Sequence, residues 1–156
     1  MEPSIEMIQA LIQEASLTYI LHTLGPVFIS SVLERVKNIG ITVSGFQFVH
    51  ICYRTATQQE YTDRKRELEE SGTLLIESIV GGRLIATFKL DAPIVCSDGS
   101  TIDVVELPSP KEGSIYPSGL EHCEFVVPSL EEFVYPNYRS SCVDSSVSKA
   151  EQRVED

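Results

Sequence analysis

The chain has little of what several protein classes require. Its 156 residues include no tryptophan, and 12 lysines and arginines are outnumbered by 23 aspartates and glutamates, giving a formal net charge of −11. A nucleic-acid partner requires clustered basic side chains, so this balance argues against one. No basic segment precedes an apolar run at the start, and the longest apolar run is much shorter than a bilayer span. We therefore expect no signal peptide, no transmembrane segment and no membrane partner.

Cysteine is also scarce. The four cysteines form no C-x-x-C pair and follow no secretory signal. We interpret them as reduced thiols and expect a cytoplasmic or nuclear protein. The sequence also lacks a phosphate-binding loop, a dinucleotide-binding glycine fingerprint and a nucleophilic serine elbow, which argues against those enzyme classes.

The length allows one domain, and the hydrophobic content of 42% is typical of a soluble globular protein. Apolar residues at helical spacing predict an N-terminal helical segment over residues 1–41. We expect Gly25-Pro26 to divide it into two helices, because proline clashes with the preceding turn of a helix.

A strand and a capped helix are predicted next. Residues 46–54 alternate as a half-buried strand does, which places His50 and Arg54 on one face. Thr57-x-x-Glu60 is a capping box, in which the threonine and glutamate side chains satisfy exposed backbone N–H groups at the start of a helix.

Three further strands are predicted after that helix, which should end at a Gly72 cap. Gly81-Gly82 and Asp98-Gly99 are typical hairpin turns, because they tolerate positive φ. Residues 91–93 are expected to interrupt the pairing. The element order over residues 42–110 is therefore one βαβββ module, with its last three strands at residues 74–80, 83–90 and 102–107.

The beginning of this module recurs about seventy residues later. His50 precedes the Thr57 cap by seven residues, and His122 precedes Ser129 by the same interval. Such repetition is typical of supersecondary units that bury their faces together. We assign residues 111–136 to the start of a truncated second module and residues 137–156 to a disordered tail. The predicted fold class is α+β, with N-terminal helices, one βαβββ module and the first strand of a second, incomplete module.

Three residues are candidates for a functional site. Glu106, His50 and His122 each lie in an otherwise apolar predicted strand, and two imidazoles with one carboxylate suit Zn, Mn, Ni or Fe(II). The alternative is two hydrogen-bonded histidines and an exposed glutamate. Arg54 could bind an anionic group of a substrate, since its planar fork suits carboxylate or phosphate, or it could pair with an acid of the following helix.

Several segments together resemble the YecM-like proteins of the vicinal-oxygen-chelate group, which includes glyoxalase I, extradiol dioxygenases and bleomycin-resistance proteins. The resemblance covers roughly residues 42–128 and, more loosely, the N-terminal helices. The matching segments are HI-x-x-R at 50–54, GR-x-x-x-x-FKL at 82–90, VELP at 105–108, YP at 116–117 and EH at 121–122.

The resemblance implies paired βαβββ modules around a divalent metal ion. It implies that His50, Glu106 and His122 are the metal ligands, with Glu106 also at the catalytic centre, and that the small-molecule chemistry is that of an isomerase, lyase or dioxygenase. The remaining strands of the second module, and the fourth ligand expected from them, are missing from this sequence. Three hypotheses follow: a metal-dependent enzyme domain with an incomplete site, a non-catalytic module that binds a small molecule or a protein, or a shortened product of limited stability with no independent role.

An incomplete second module would leave an open sheet edge and an uncovered apolar face. Such edges are templates for association. We therefore expect either a homodimer through the open sheet edge or a shortened form of a longer protein.

Overall fold

The computed structural model describes residues 4–43, 45–127, 129, 131 and 133. Two helices come first, a βαβββ unit follows, and a fifth strand is added after it, which confirms the predicted α+β class. The predicted tail at residues 137–156 lies outside the described residues, as does most of the second capped helix. The elements are α1 (Ile5–Glu14), α2 (Leu17–Asn38), β1 (Phe48–Arg54), α3 (Gln58–Ser71), β2 (Gly72–Val80), β3 (Arg83–Val95), β4 (Thr101–Pro108) and β5 (Gly119–Phe125).

The five strands form one sheet in the order β2-β3-β4-β1-β5. β1 runs parallel to β4, and the other neighbouring pairs are antiparallel. A parallel pair needs a long crossover connection, and α3 with the β2–β3 hairpin provides it. β5 pairs with the free side of β1, so the strand predicted to open the second module extends the sheet of the first.

The two faces of the sheet differ because its strands alternate in polarity. Ile51 and Tyr53 of β1 are fully buried in the core, together with Val105 of β4 and Phe88 of β3. Leu17, Ile20, Leu21 and Ile29 of α2 and Leu68 of α3 belong to the same core cluster. The opposite face of β1 carries His50 and Arg54, as the alternation predicted. The face without helices is called the open face below.

The predicted helix break at Gly25-Pro26 is wrong. α2 continues through Pro26, and the chain breaks earlier, where Ser16 caps α2 by accepting a hydrogen bond from the backbone N–H of Tyr19 at 3.2 Å. A β-carbon at Gly25 would lie 3.3 Å from Ile94, so the glycine lets the helix lie close to the sheet. Tertiary packing thus outweighs the cost of an internal proline, about 3 kcal/mol.

Two smaller expectations are confirmed, each with a difference in detail. α3 ends at its Gly72 C-cap, but Gly72 is extended (φ −173°) instead of left-handed and begins β2, where any β-carbon would collide with the carbonyl oxygen of Lys89. The pairing of β3 with β4 is interrupted between Lys89 and Ile94 and resumes at Ile94 and Val95, although β3 itself continues to Val95. Gly81-Gly82 forms the expected turn, with positive φ at both residues.

α2 is long and apolar enough, by length and composition alone, to cross a membrane. It is the one such helix in the described part of the chain. Core helices of soluble proteins pass the same test, and the apolar side of α2, with Leu17, Ile20, Leu21 and Ile29, is buried against the sheet.

Candidate metal centre

Three adjacent strands bring the predicted ligands together on the open face. Cys52, in the middle of β1, is paired in register with Glu106 on β4 and with His122 on β5. His50 precedes Cys52 by two residues and therefore shares its face. The sequence positions 50, 106 and 122 become neighbours because the α3 crossover places β4 beside β1 and the antiparallel return places β5 on its other side.

The three side chains converge on one point. The distance from His50 Nε2 to Glu106 Oε2 is 3.5 Å, and that from His122 Nε2 to the same oxygen is 3.3 Å. The two Nε2 atoms are 3.4 Å apart. The three donor atoms therefore form a nearly equilateral triangle.

The size of this triangle fits a metal ion. Zinc lies about 2.0–2.1 Å from imidazole nitrogen and a similar distance from carboxylate oxygen, usually with tetrahedral geometry. Neighbouring corners of such a tetrahedron are about 3.4 Å apart. The donor distances of 3.3, 3.4 and 3.5 Å match one face of it. Two imidazoles and one carboxylate also leave coordination positions open, as in catalytic rather than structural sites.

Access to the triangle is uneven. The His50 side chain is 14% exposed, that of Glu106 24% and that of His122 47%. Glu124 Oε2 lies 3.8 Å from His50 Nδ1, the ring nitrogen that faces away from the triangle. Carboxylates in this position orient ligating histidines. The same three contacts also fit a cluster of hydrogen bonds and ion pairs without a metal ion, and a metal titration distinguishes the two arrangements.

A second group of donors overlaps the first. Cys52, Glu121 and His122 also have ligand atoms close enough to share an ion. Cys52 is fully buried, and burial, followed by the charges of Glu106 and Glu121, raises the pKa of its thiol far above the ordinary value. Since the thiolate is the form that ligates metals, this group is less suited to a metal than the triangle.

Arg54 does not pair with an acid of the following helix. Its Nη1 lies 3.2 Å from Glu121 Oε1 on β5, and its Nε donates a hydrogen bond to the carbonyl of Pro117 at 3.3 Å. The guanidinium also lies 4.5 Å from the centroid of the Tyr116 ring. Arg54 is thus on the open face, close to the predicted ligands, with its charge matched by Glu121. Its predicted role in binding a substrate anion stays a prediction.

Sequence reasoning missed two residues on this face. Arg83 Nη1 lies 3.3 Å from the hydroxyl of Tyr116, whose ring contacts Arg54. The alternation of β3 could have placed Arg83 on this face, because Arg83 and Thr87 share a face of the strand and Thr87 is paired with Glu106. The position of Tyr116, in the connection between β4 and β5, had no such signal.

Comparisons with known proteins agree on one family. A family model described as YecM protein matches residues 17–155. Protein YecM of Escherichia coli (strain K12) is 33% identical over 110 residues, which are 69% of this chain and 56% of that protein. A Haemophilus influenzae protein named only as uncharacterized is 29% identical over 104 residues, 67% of this chain and 54% of that protein.

A solved structure, described as Structural Genomics, Protein EC4020, has the same fold. It superposes with a TM-score of 0.64 at 31% identity, covering 76% of this chain and 63% of that one. The chain spans about half the length of the curated relatives it matches. None of these names states a reaction, a ligand or a partner.

Proposed function

The chain belongs to the YecM family, and the names of its relatives state no reaction, so we propose a function from the site itself. We propose that His50, Glu106 and His122 bind one divalent metal ion per chain. The observation that carries the proposal is the triangle of donor atoms, with sides of 3.3, 3.4 and 3.5 Å. The metal would be Zn, Mn, Ni or Fe(II), and the mutual spacing suits zinc best.

The finer proposal is a small-molecule reaction of the isomerase, lyase or dioxygenase class, as in the vicinal-oxygen-chelate group. A bound divalent ion supplies Lewis-acid chemistry to substrate oxygens at its open positions. His50, the most buried of the three proposed ligands, would anchor the site within the sheet, with Glu124 Oε2 3.8 Å from its Nδ1. His122, on the edge strand, borders the side from which a substrate can approach.

Equilibrium dialysis against Zn, Mn, Ni and Fe(II) tests the metal proposal. We expect uptake of one ion per chain by the wild-type protein and none by the His50→Ala/His122→Ala double variant. His22→Ala is the matched control, because His22 is an exposed histidine of α2 and should leave uptake unchanged. Uptake that survives the double variant, or that is absent from the wild-type protein, overturns the proposal.

The alternative is a non-catalytic binding module, and the exposed apolar surface of β2 favours it. Leu75, Ile76, Ile79 and Val80 are each more than half exposed. The sole charge of β2, Glu77, is neutralised by Lys65 Nζ at 2.7 Å, so two copies of this strand would not repel each other despite the chain's net charge of −11.

We propose that β2 pairs with β2 of a second copy, which would satisfy the edge N–H and C=O groups and cover the aliphatic side chains. Sedimentation should then show a dimer. A stable monomer would remove the dimer and leave the metal proposal intact, since all three ligands come from one chain.

A further inference from the structure

Arg83 lies on the same face of the sheet as the candidate metal centre. Along β3, Arg83 shares a face of the strand with Ile85 and Thr87, and Thr87 is paired with Glu106. Four residues of strand separate the backbones of Arg83 and Thr87 by about 13 Å.

No carboxylate among the described residues matches the charge of Arg83. Its guanidinium is half-buried and, among residues 4–43, 45–127, 129, 131 and 133, contacts no acidic side chain in an ion pair. Its hydrogen-bond partner is the neutral Tyr116 hydroxyl. The other arginine on this face, Arg54, is paired with Glu121. In a chain with so many acids, an unmatched, half-buried guanidinium beside a donor cluster indicates a site for an anion.

The hydroxyl of Tyr116 is arranged as a donor to a ligand. It accepts a hydrogen bond from the backbone N–H of Lys111 at 2.8 Å and one from Arg83 at 3.3 Å. A backbone N–H and a guanidinium can only donate hydrogen bonds, so both lone pairs of the hydroxyl oxygen are used. Within the described part of the chain its proton meets no acceptor. The Arg54 guanidinium packs 4.5 Å from the ring centroid and holds the ring in place.

We propose that Arg83 and the Tyr116 O–H form an anion subsite for the carboxylate or phosphate group of a substrate whose oxygen atoms bind at the metal centre. The inference rests on the proposed function and narrows its substrate class to small molecules with an anionic end. The guanidinium supplies a pair of N–H donors and the phenol a third, which is how planar anionic groups are bound in proteins. Because the subsite and the triangle lie on one face, the substrate would extend along the sheet from β1 toward β3.

Matched chelators test the subsite in the zinc-loaded protein. Acetohydroxamate carries a metal-binding head alone, whereas alkyl hydroxamates of increasing chain length can carry the same head and a terminal carboxylate. We expect one chain length to bind about tenfold more tightly than its uncharged methyl ester, as a charge-assisted hydrogen bond would provide. Arg83→Gln should abolish that preference, and Tyr116→Phe should reduce it about threefold.

The control is Arg66→Gln, which removes the same charge from a mostly exposed side chain of α3 and should keep the preference. In all three variants the affinity for acetohydroxamate should equal that of the wild-type protein. If every chain length binds like its ester, or if Arg83→Gln keeps the preference, the subsite is wrong while the metal site stands.

A second experiment without metal distinguishes failure of the metal site from failure of the anion subsite. In the His50→Ala/His122→Ala variant, an NMR titration with inorganic phosphate should shift the Tyr116 ring signals. Adding Arg83→Gln should weaken this binding at least tenfold. If zinc uptake fails but phosphate still binds through Arg83, the anion subsite stands without the proposed function. No phosphate binding in this arm, together with no zinc uptake, overturns both.

Discussion

The two edge strands of the sheet differ in the polarity of their exposed side chains. β5 carries Glu121, His122 and Glu124, whose side chains are polar and face the candidate metal centre or its neighbours. β2 exposes a run of aliphatic side chains and contains one charged residue, Glu77. Every open edge offers unpaired backbone N–H and C=O groups to another chain. Charges on β5 oppose such pairing, and the proposed function gives one of its residues, His122, to the metal ion. The single charge of β2 is paired with Lys65, so we expect association at that edge.

The largest expected effect concerns the polar edge. Replacing His122 by alanine removes one of the three proposed ligands, so we expect the affinity for zinc to fall more than about a hundredfold, beyond the loss typical of supporting residues. Competition with a chromophoric chelator measures it. The matched change on the other edge, Ile79→Ala, should leave zinc affinity unchanged. Equal losses at both edges would mean that the variants act through the fold and not through the site.

The next effect concerns the apolar edge. We expect Ile76→Lys/Ile79→Lys to raise the dissociation constant of the dimer about a hundredfold, because an unpaired ammonium group would be buried at the interface. Sedimentation equilibrium measures it. Glu124→Lys, the comparable change on β5, should leave the dimer intact. A dimer lost with Glu124→Lys and kept with the β2 variant would place the association at the polar edge instead.

A smaller effect on zinc affinity is expected from Glu124, the carboxylate near His50 Nδ1. Glu124 Oε2 lies 3.8 Å from His50 Nδ1, longer than a hydrogen bond, and its side chain is 60% exposed. Glu124→Gln should therefore lower zinc affinity by no more than about tenfold. Zinc competition at neutral pH measures the change. A loss as large as that of His122→Ala would make Glu124 a ligand.

The smallest effect is on stability. Glu77 joins β2 to α3 by accepting a hydrogen bond from the Tyr61 hydroxyl at 2.6 Å and pairing with Lys65 at 2.7 Å. Lys65 first, and Tyr61 second, hold the pKa of Glu77 below its ordinary value of 4.5. A lowered carboxyl pKa stabilises the folded state above pH 4.5, and this contribution disappears as the pH falls through the lowered value.

Glu77→Gln should cost about 1 kcal/mol of unfolding free energy at pH 7 and nearly nothing in strong acid. Urea denaturation at both pH values measures it. Glu70→Gln, which changes an exposed carboxylate of α3, is the control and should cost little at either pH. A loss independent of pH would show that packing, and not the charge of Glu77, connects β2 to α3.

Local patterns were sufficient for most elements of the fold. The alternation of residues 46–54, the Thr57 capping box and the glycine turns depend on contacts between residues near in sequence, and the structure confirms them. The error at Gly25-Pro26 had a different origin. Whether a helix tolerates an internal proline depends on what packs against it, and Ile94, which lies beside Gly25, is almost seventy positions away.

In the candidate site, too, local sequence determines one part and long-range pairing determines the other. His50, Glu106 and His122 stand out in the sequence because each lies in an otherwise apolar predicted strand. Their meeting at 3.3–3.5 Å depends on strand order and register, which come from long-range pairing of β1 with β4 and β5.

By itself, then, the sequence determined most of the elements, the two faces of β1 and the three unusual polar residues, since these follow from local sterics and from alternation. Only the tertiary structure decided that β5 joins the sheet beside β1, that Arg54 pairs with Glu121, and that Arg83 meets Tyr116 without a carboxylate partner in the described chain. Those contacts join residues more than thirty positions apart, and no local preference of the chain specifies them.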